Sequence, residues 1–317
     1  MKVVFWGTCG SIPSPITARG IEVKIEKAFT WAESHPRGAD EPFVEYLKKM
    51  PFAIRGTYGG NTSCVELVGG EDTVLCDAGT GLRDFSFNLM MKELDRLPGT
   101  FHIFISHPHW DHIQGFPFFT PAYIAGNRIF VYGCHEELEK AFRIQQGSPF
   151  FPVDFDSLGA DIRFVRLDPD KTHSIAGFNV TIMEQDHPGR SFGYRFEKDR
   201  ASVVYSSDAE HRIDMYDESY QFIEFFRNAD LLIFDAQYIF SDSIIHKENW
   251  GHSSNVVAVE LALRSGVRHL CLFHMEHTFD DEALNQMMEN TQGYRKHFTN
   301  GSEMELTIAC DGMEISL

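Results

Sequence analysis

Short apolar runs bounded by glycine and proline alternate along this chain with segments whose apolar residues recur every three or four positions. Runs such as Phe101–Ile105, between Gly99 and Pro108, are typical of buried strands, whereas the periodic segments are typical of amphipathic helices. We predict strands near residues 3–6, 64–68, 73–76, 101–105, 128–132, 162–166, 178–185, 191–197, 201–206 and 269–273. We predict helices near residues 82–97, 136–144 and 255–264, so strands and helices are mixed along the chain.

Residues 15–57 interrupt the strand pattern. Apolar residues recur there at helical spacing in two groups, Ile21, Ile25, Phe29 and Ala32, then Phe43, Tyr46, Leu47 and Met50. A His-Pro-Arg-Gly sequence at residues 35–38 separates the groups and is typical of a turn. The segment predicts a helical hairpin inserted after the first strand, serving as a lid, a dimer contact or a plain surface excursion.

Charge and composition restrict the classes of partner. Lys and Arg total 28 against 46 Asp and Glu, a formal net charge of -18, whereas proteins that bind duplexes or tRNA carry a basic footprint. We therefore do not expect a long nucleic acid as partner, although a small phosphate substrate stays open because metals can supply positive charge. The six cysteines form no Cys-x-x-Cys pair and are expected to be buried reduced thiols. The N-terminus lacks the apolar core of a signal peptide and no run approaches a membrane helix, so we expect a cytoplasmic protein.

The candidate chemistry begins just past the strand at 101–105, in the sequence Ser-His-Pro-His-Trp-Asp-His-Ile-Gln-Gly. His107 and His109 project to the same side of an extended segment, so both imidazoles can reach one metal. Asp111 and His112 come where the chain must turn, so they can face a second metal. The alternative is a pair of surface histidines and a helix-capping Asp. Four such ligands suit zinc, manganese or iron better than calcium.

Three further residues of ligand type end apolar strands: His187, Asp208 and His274. Each alone could be a satisfied surface or core group, but together with the cluster they make seven ligands, about what two metals need. Asp77 also follows a strand, and it could accept a hydrogen bond from a ligand histidine or cap the following helix.

This ligand order resembles the metallo-β-lactamase-fold hydrolases. The resemblance covers residues 1–14 and 58–317 and implies a single α+β domain, a four-layer αβ/βα sandwich, over residues 1–317 with the helical hairpin as an insertion at about 15–57. It implies two divalent metal ions, with zinc expected and manganese or iron as alternatives. One ion would be held by His107, His109 and His187, the other by Asp111, His112 and His274, with Asp208 as the bridge.

Three further segments resemble the ribonuclease Z-like phosphodiesterases of that fold: residues 186–195, 229–238 and 250–254. The resemblance assigns Asp235 and His252 to a catalytic pair, with His252 as general acid and Asp235 orienting its imidazole, and Asp111 is predicted to act beside them. The alternatives are a strand-end turn residue for Asp235 and an N-terminal helix residue for His252. Asp235 stands where the branch has Glu. Met-Glu follows His274 where relatives favour Asp-Pro, and the ligand is assigned to His274 rather than His277.

The reaction implied is hydrolysis of a phosphodiester by a hydroxide that bridges the two metals. Relatives that process tRNA precursors carry a basic, glycine-rich arm, and residues 113–186 contain none, so we expect a small phosphodiester, first a cyclic nucleotide. Some of five phenylalanines could stack a base, although core packing is expected for most: Phe116, Phe118, Phe119, Phe150 and Phe151. The alternatives are a tRNA 3′-processing endonuclease, a thioester hydrolase, and a di-iron oxygen-sensing or redox protein. We also expect a homodimer.

Overall fold

Two seven-stranded mixed sheets form the body of the protein. The structure, a computed structural model, describes residues 1–239, 249–298 and 303–317. The first sheet has the order β14-β1-β2-β3-β4-β5-β6. Its strands are β1 (Lys2–Gly7), β2 (Cys64–Val68), β3 (Thr73–Cys76), β4 (Thr100–Phe104), β5 (Arg128–Gly133), β6 (Asp161–Arg166) and β14 (Glu314–Ser316).

The second sheet has the order β13-β12-β11-β10-β9-β8-β7. Its strands are β7 (His173–Ile175), β8 (Phe178–Gln185), β9 (Ser191–Lys198), β10 (Ala201–Ser206), β11 (Leu231–Asp235), β12 (His269–Phe273) and β13 (Glu305–Ile308). In each sheet one half pairs antiparallel and the other parallel: β3 to β6 are parallel in the first, and β10 to β13 in the second. The carboxyl ends of parallel neighbours meet at one edge, where ligands bind in such sheets.

The main core lies between the two sheets. Phe104 of the first sheet packs against Tyr194 and Phe196 of the second, with ring centroids 5.4 and 5.0 Å apart. Phe5 and Phe273 meet across the same interface at 6.2 Å. Such aromatic pairs contribute about 0.5–1.5 kcal/mol each beyond the area they bury. The tyrosines and phenylalanines of both sheets therefore hold the layers together.

Helices cover the outer faces of the sheets. Those of the body are α4 (Gly81–Lys92), α5 (Trp110–Ile113), α6 (Leu138–Gln145), α7 (Gln221–Phe226), α8 (Asn255–Arg264) and α9 (Asp281–Phe298). One outer apolar cluster joins the first sheet to α4 and α6, and another joins the second sheet to α7, α8 and α9. The predicted α+β four-layer sandwich is thereby confirmed. No helix in the described part of the chain is long and apolar enough to cross a bilayer.

The helix predicted at 82–97 is shorter in the structure. It ends at Lys92, and Leu94–Arg96 form a separate 3-10 turn. Pro98 disfavours helical backbone at the preceding residue. Arg96 also turns inward, where its guanidinium donates to Glu66 at 3.1 Å and to Thr73 at 2.7 Å. These bonds fix the chain as it enters β4.

The segment at 15–57 contains α1 (Ala18–Ser34), α2 (Phe43–Lys49) and α3 (Phe52–Arg55). The Tyr46 hydroxyl donates to the His35 carbonyl at 2.6 Å, and the Trp31 and Tyr46 rings lie 5.4 Å apart, which joins α2 to the end of α1. Lys24 pairs with Asp281 at 2.7 Å and so connects α1 to α9. No residue of α1 is buried, and its Phe29 is 70% exposed. In the second group Phe43 is 69% exposed, whereas Tyr46 and Met50 are buried. The helical periodicity of α1 therefore has no packing partner within one copy of the chain.

Candidate metal centre

The loops at one edge of the two sheets carry the candidate residues. Each loop follows the carboxyl end of a strand: β3, β4, β8, β10, β11 or β12. Three of the residues have left-handed backbone, with φ of 59° at Asp77, 56° at Asp208 and 59° at His274. Residues with a side chain rarely adopt this conformation, and where they do the surrounding structure must hold it. The fold therefore turns these side chains sharply at the strand ends.

The first group of imidazoles brings together His107, His109 and His187. His109 Nδ1 lies 3.1 Å from His187 Nε2, and the His107 and His109 rings are 4.3 Å apart. The other nitrogen of His187, Nδ1, donates to the carbonyl of Gly251 at 2.9 Å. That bond directs the Nε2 lone pair toward the other two imidazoles, as in histidine that ligates a metal.

The second group consists of Asp111, His112, Asp208 and His274, all of them buried. Asp111 Oδ2 lies 3.3 Å from His112 Nε2 and 3.2 Å from His274 Nε2. Asp208 reaches both groups, since Oδ1 is 3.2 Å from His112 Nε2 and Oδ2 is 3.7 Å from His107 Nε2. The structure thus brings all seven candidate ligands together, with Asp208 between the groups.

The donor set fits divalent cations. The buried Nε2 atom of His107 has no hydrogen-bond partner among the described residues, and a buried polar nitrogen is unfavourable without a partner. Burial lowers the pKa of His107 well below its ordinary value, so this imidazole is neutral as a ligand must be. Although burial opposes it, the carboxylates led by Asp208 raise the pKa of His274 to about 9. The carboxylates thus favour positive charge in the centre, which metal ions could supply.

Asp77 lies directly behind the second group. It accepts from His112 Nδ1 at 2.7 Å, from the backbone N–H of Ser106 at 2.7 Å and from the Tyr205 hydroxyl at 2.6 Å. These donors occupy its carboxylate, and Thr80 takes the N-cap position of α4. Of the two roles considered for Asp77, acceptor and helix cap, the geometry matches the acceptor. Sequence reasoning missed Tyr205, because a partner from the other sheet has no local signal.

Asp235 and His252 form a hydrogen-bonded pair beside the seven residues. Asp235 is fully buried at the end of β11, and its Oδ2 accepts from His252 Nδ1 at 2.8 Å. The His252 ring stacks on His274 with centroids 5.1 Å apart and lies the same distance from His187. Ser254 is the N-cap of α8, so His252 precedes the helix instead of belonging to its first turn. The pair can place a proton on Nε2 next to a substrate held in the centre.

Two glycines lie directly against ligand imidazoles. A Cβ on Gly10 would lie 2.6 Å from His274 Nδ1, and one on Gly251 would lie 2.3 Å from His187 Nδ1. Ser11 adds a backbone N–H that donates to Asp111 Oδ2 at 2.8 Å. Gly10 and His274 lie far apart in the chain, so their close approach is visible only in the folded structure.

Other predicted residues lie apart from this centre. His277 is half-exposed, and its Nε2 lies 3.4 Å from Glu276 Oε1, outside the ligand groups. Phe116 and Phe119 are fully buried in the outer core of the first sheet, as expected for most of the five phenylalanines. Phe118 and Phe150 are 57% and 66% exposed.

Comparisons with known proteins agree with this geometry. The beta-lactamase superfamily domain matches residues 72–275. Ribonuclease Z of Thermoplasma acidophilum is 23% identical over 331 residues, covering 90% of this chain and 89% of that protein. YhfI of Bacillus subtilis, a metallo-beta-lactamase fold protein, has a TM-score of 0.62 at 19% identity over 99% of both chains. The short form of human tRNase Z has a TM-score of 0.60 at 20% identity, over 100% of this chain and 99% of that one. The predicted fold and the resemblance to the ribonuclease Z-like branch are confirmed.

Proposed function

The chain belongs to the beta-lactamase superfamily, as a metal-dependent hydrolase of the ribonuclease Z-like branch, and we propose that its reaction is phosphodiester hydrolysis with two divalent metal ions. The observation that carries the proposal is the Asp235–His252 pair, with its 2.8 Å bond, next to both groups of candidate ligands. Ligands alone suit several hydrolytic reactions of this fold. A buried carboxylate that orients an imidazole adds the proton donor that an alkoxide leaving group requires.

The two ligand groups would each hold one ion. Asp208 could contribute to both, because its carboxylate lies 3.7 Å from His107 Nε2 and 3.2 Å from His112 Nε2. When bound, such ions activate water and neutralise the charge of the phosphoryl oxygens. His252 donates a hydrogen bond from its Nδ1–H to Asp235, which leaves Nε2 free to face the substrate. In the imidazolium form, with a second proton on Nε2, the ring would pass that proton to the leaving oxygen and return to the neutral form. Asp235 is held in turn by the backbone N–H groups of Ala209 at 3.1 Å and Gln237 at 3.0 Å. These bonds keep the imidazole in one orientation through the reaction.

The comparisons favour a tRNA precursor as substrate over the cyclic nucleotide that we expected from the sequence. The Thermoplasma acidophilum relative, which aligns over 90% of this chain, carries the name ribonuclease Z. We therefore place 3′ processing of tRNA precursors first among the candidate activities. None of the relatives reported above is named for an activity on cyclic nucleotides.

A small phosphodiester is the second candidate, and the charge of the chain favours it. The net charge is -18, and binding a long polyanion depends on several Lys or Arg contacts to phosphates. Residues 113–186 form β5, β6, β7, β8 and α6 with the turns that join them, and every one of these strands pairs within a sheet. A basic projecting arm is thus missing from that part of the structure.

One substrate panel tests the activity and separates the two candidates. Protein loaded with zinc or manganese is offered a tRNA precursor, 3′,5′- and 2′,3′-cyclic nucleotides, and a chromogenic bis-aryl phosphate. Cleavage of the precursor at its 3′ side, with cyclic nucleotides untouched, supports the first candidate. The reverse result supports the second. Failure to cleave any of these phosphodiesters contradicts the proposed reaction.

Two variants test the role of the pair. We expect His252→Ala to lower turnover by about 10²–10⁴-fold, the usual contribution of a general acid, with metal content unchanged. His277→Ala is the matched control, because His277 is close in sequence to His274 but lies outside the ligand groups. Unchanged turnover in His252→Ala would remove the proton-donor role.

A further inference from the structure

Two buried tyrosines connect the sheets directly beneath the metal centre. Tyr194 of β9 and Tyr205 of β10 are register partners in the second sheet, and both are fully buried. The Tyr194 hydroxyl donates to the Ile105 carbonyl at 2.7 Å, and the Tyr205 hydroxyl donates to Asp77 Oδ2 at 2.6 Å. Both acceptors directly follow strands of the first sheet, Ile105 after β4 and Asp77 after β3. Neighbouring side chains thus make two hydrogen bonds across the main core.

Both bonds end on segments that carry candidate ligands. Ile105 leads directly into the loop of His107, while Asp77 holds His112 through its Nδ1 at 2.7 Å. Tyr205 lies on β10, which ends at Ser206, two residues before Asp208. Each bond therefore joins an element with ligands from the first sheet to an element next to ligands from the second.

The packing of the core does not require the two tyrosine hydroxyls. Burying a hydroxyl is unfavourable unless it is hydrogen-bonded, and phenylalanine would fill the same aromatic core at less cost. Burial raises the pKa of both tyrosines well above the ordinary value, so both stay protonated and act as donors. Their acceptors are a single backbone carbonyl and the carboxylate that orients a ligand. Location of both bonds at the ligand-bearing edge suggests a role in the geometry of the centre.

We propose that Tyr194 and Tyr205 are positioning residues: they set the distance between the ligands that the first sheet carries and the ligands that the second sheet carries. The inference rests on the two-metal site of the proposed function. Four candidate ligands come from the first sheet and three from the second, and Asp208 lies between the groups. A small shift of one sheet against the other would change the distance from Asp208 Oδ1 to His112 Nε2, now 3.2 Å. The two tyrosine hydrogen bonds oppose such a shift next to the loops that carry the ligands.

The test compares three tyrosine variants that each lose one buried hydroxyl. Tyr205→Phe and Tyr194→Phe remove the bonds between the sheets. Tyr132→Phe is the matched control, because the Tyr132 hydroxyl bonds His102 Nδ1 at 2.9 Å within the first sheet, on neighbouring strands of the same core. Cobalt(II) or manganese(II) titration then gives the number and affinity of bound ions. The absorption spectrum of the cobalt form reports the ligand geometry without any substrate.

We expect Tyr205→Phe to lower the affinity for one of the two ions by about 10–100-fold, as removal of groups that orient ligands usually does. The absorption spectrum of the cobalt form should change as well. Tyr194→Phe should weaken binding less, because its acceptor is one carbonyl of a strand. Tyr132→Phe should bind both ions like the unsubstituted chain. Thermal denaturation in a chelator gives the cost of each variant to the fold alone.

Three results overturn the inference. Unchanged affinity and spectrum in both Tyr205→Phe and Tyr194→Phe exclude positioning. Equal loss of metal in Tyr132→Phe means that any buried hydroxyl matters, whatever it connects. Binding of fewer than two ions by the unsubstituted chain removes the premise. If all phosphodiesters resist cleavage while Tyr205→Phe still loses an ion, the proposed reaction fails and the positioning role stands.

Discussion

His211 makes the stability of this protein depend on pH through burial. Its side chain is 7% exposed, and its ring lies 4.7 Å from that of Phe222 and stacks at 5.2 Å on Phe234. Burial lowers the pKa of His211 from 6.5 to about 3. Nδ1 contacts the Tyr220 hydroxyl at 2.6 Å, while Nε2 has no hydrogen-bond partner among the described residues. These buried aromatic surroundings therefore accommodate the neutral imidazole and disfavour the charged imidazolium.

The sign and the size of the effect follow from linkage. His211 binds a proton more weakly in the folded state than in the unfolded state. The stability that the buried neutral imidazole contributes is therefore fully present above pH 6.5 and is lost as the pH falls toward 3. Each unit of pKa difference corresponds to 1.36 kcal/mol, which gives about 2 kcal/mol lost at pH 5 and about 5 kcal/mol lost below pH 3.

The assay is urea denaturation at pH 7.5 and pH 5 in the presence of a chelator. The side chain in His211→Gln cannot titrate, but it keeps an acceptor for the Tyr220 hydroxyl. Between pH 7.5 and pH 5, the free energy of unfolding of this variant should therefore fall by about 2 kcal/mol less than that of the unsubstituted chain. His297→Gln is the control, because His297 is exposed at the end of α9. The histidines of the metal centre titrate in both chains, so their effect cancels when the change in unfolding free energy of the variant is subtracted from that of the unsubstituted chain. An equal loss in His211→Gln would falsify the argument from burial.

Three further predictions address the metal centre and the inserted segment. Gly251→Ala should weaken metal binding by about tenfold or more, since its Cβ would lie 2.3 Å from His187 Nδ1 at a φ of +86°; unchanged titration curves would contradict this. Asp235→Asn should lower turnover by about 10²-fold or more with both ions retained, measured by steady-state kinetics and metal analysis; normal turnover would show that the carboxylate is dispensable. Phe29→Glu should convert the expected homodimer to monomer in light scattering after size exclusion, because Phe29 is 70% exposed on the apolar face of α1; an intact dimer would place the contact elsewhere.

The strands, the helices and the ligand types follow from local patterns in the chain, whereas the four-layer sandwich was predicted only through the family resemblance. Apolar runs predict most strands, because a buried strand needs apolar residues over its whole length. His107, His109, Asp111 and His112 are recognisable because one strand end brings them together. Burial follows less directly from the sequence: α1 has helical periodicity, yet none of its residues is buried in one copy of the chain.

Some features of the centre could be predicted only as a resemblance. Asp235 and His252 lie in different loops, and neither position has a local signal stronger than a turn or a helix start. Their 2.8 Å bond depends on how β11 and the start of α8 pack together. The sequence therefore suggests which residues belong to the pair, while only the folded chain shows that they touch.

The sequence by itself determined the strand and helix types, the seven candidate ligands and the acidic character of the chain, because these depend on neighbouring residues and on composition. The tertiary structure alone decided which atoms meet across the two sheets. Tyr205 reaches Asp77, Gly10 approaches His274, and the Gly251 carbonyl orients His187. Such contacts join residues far apart in the chain, and their distances depend on how the two sheets pack against each other.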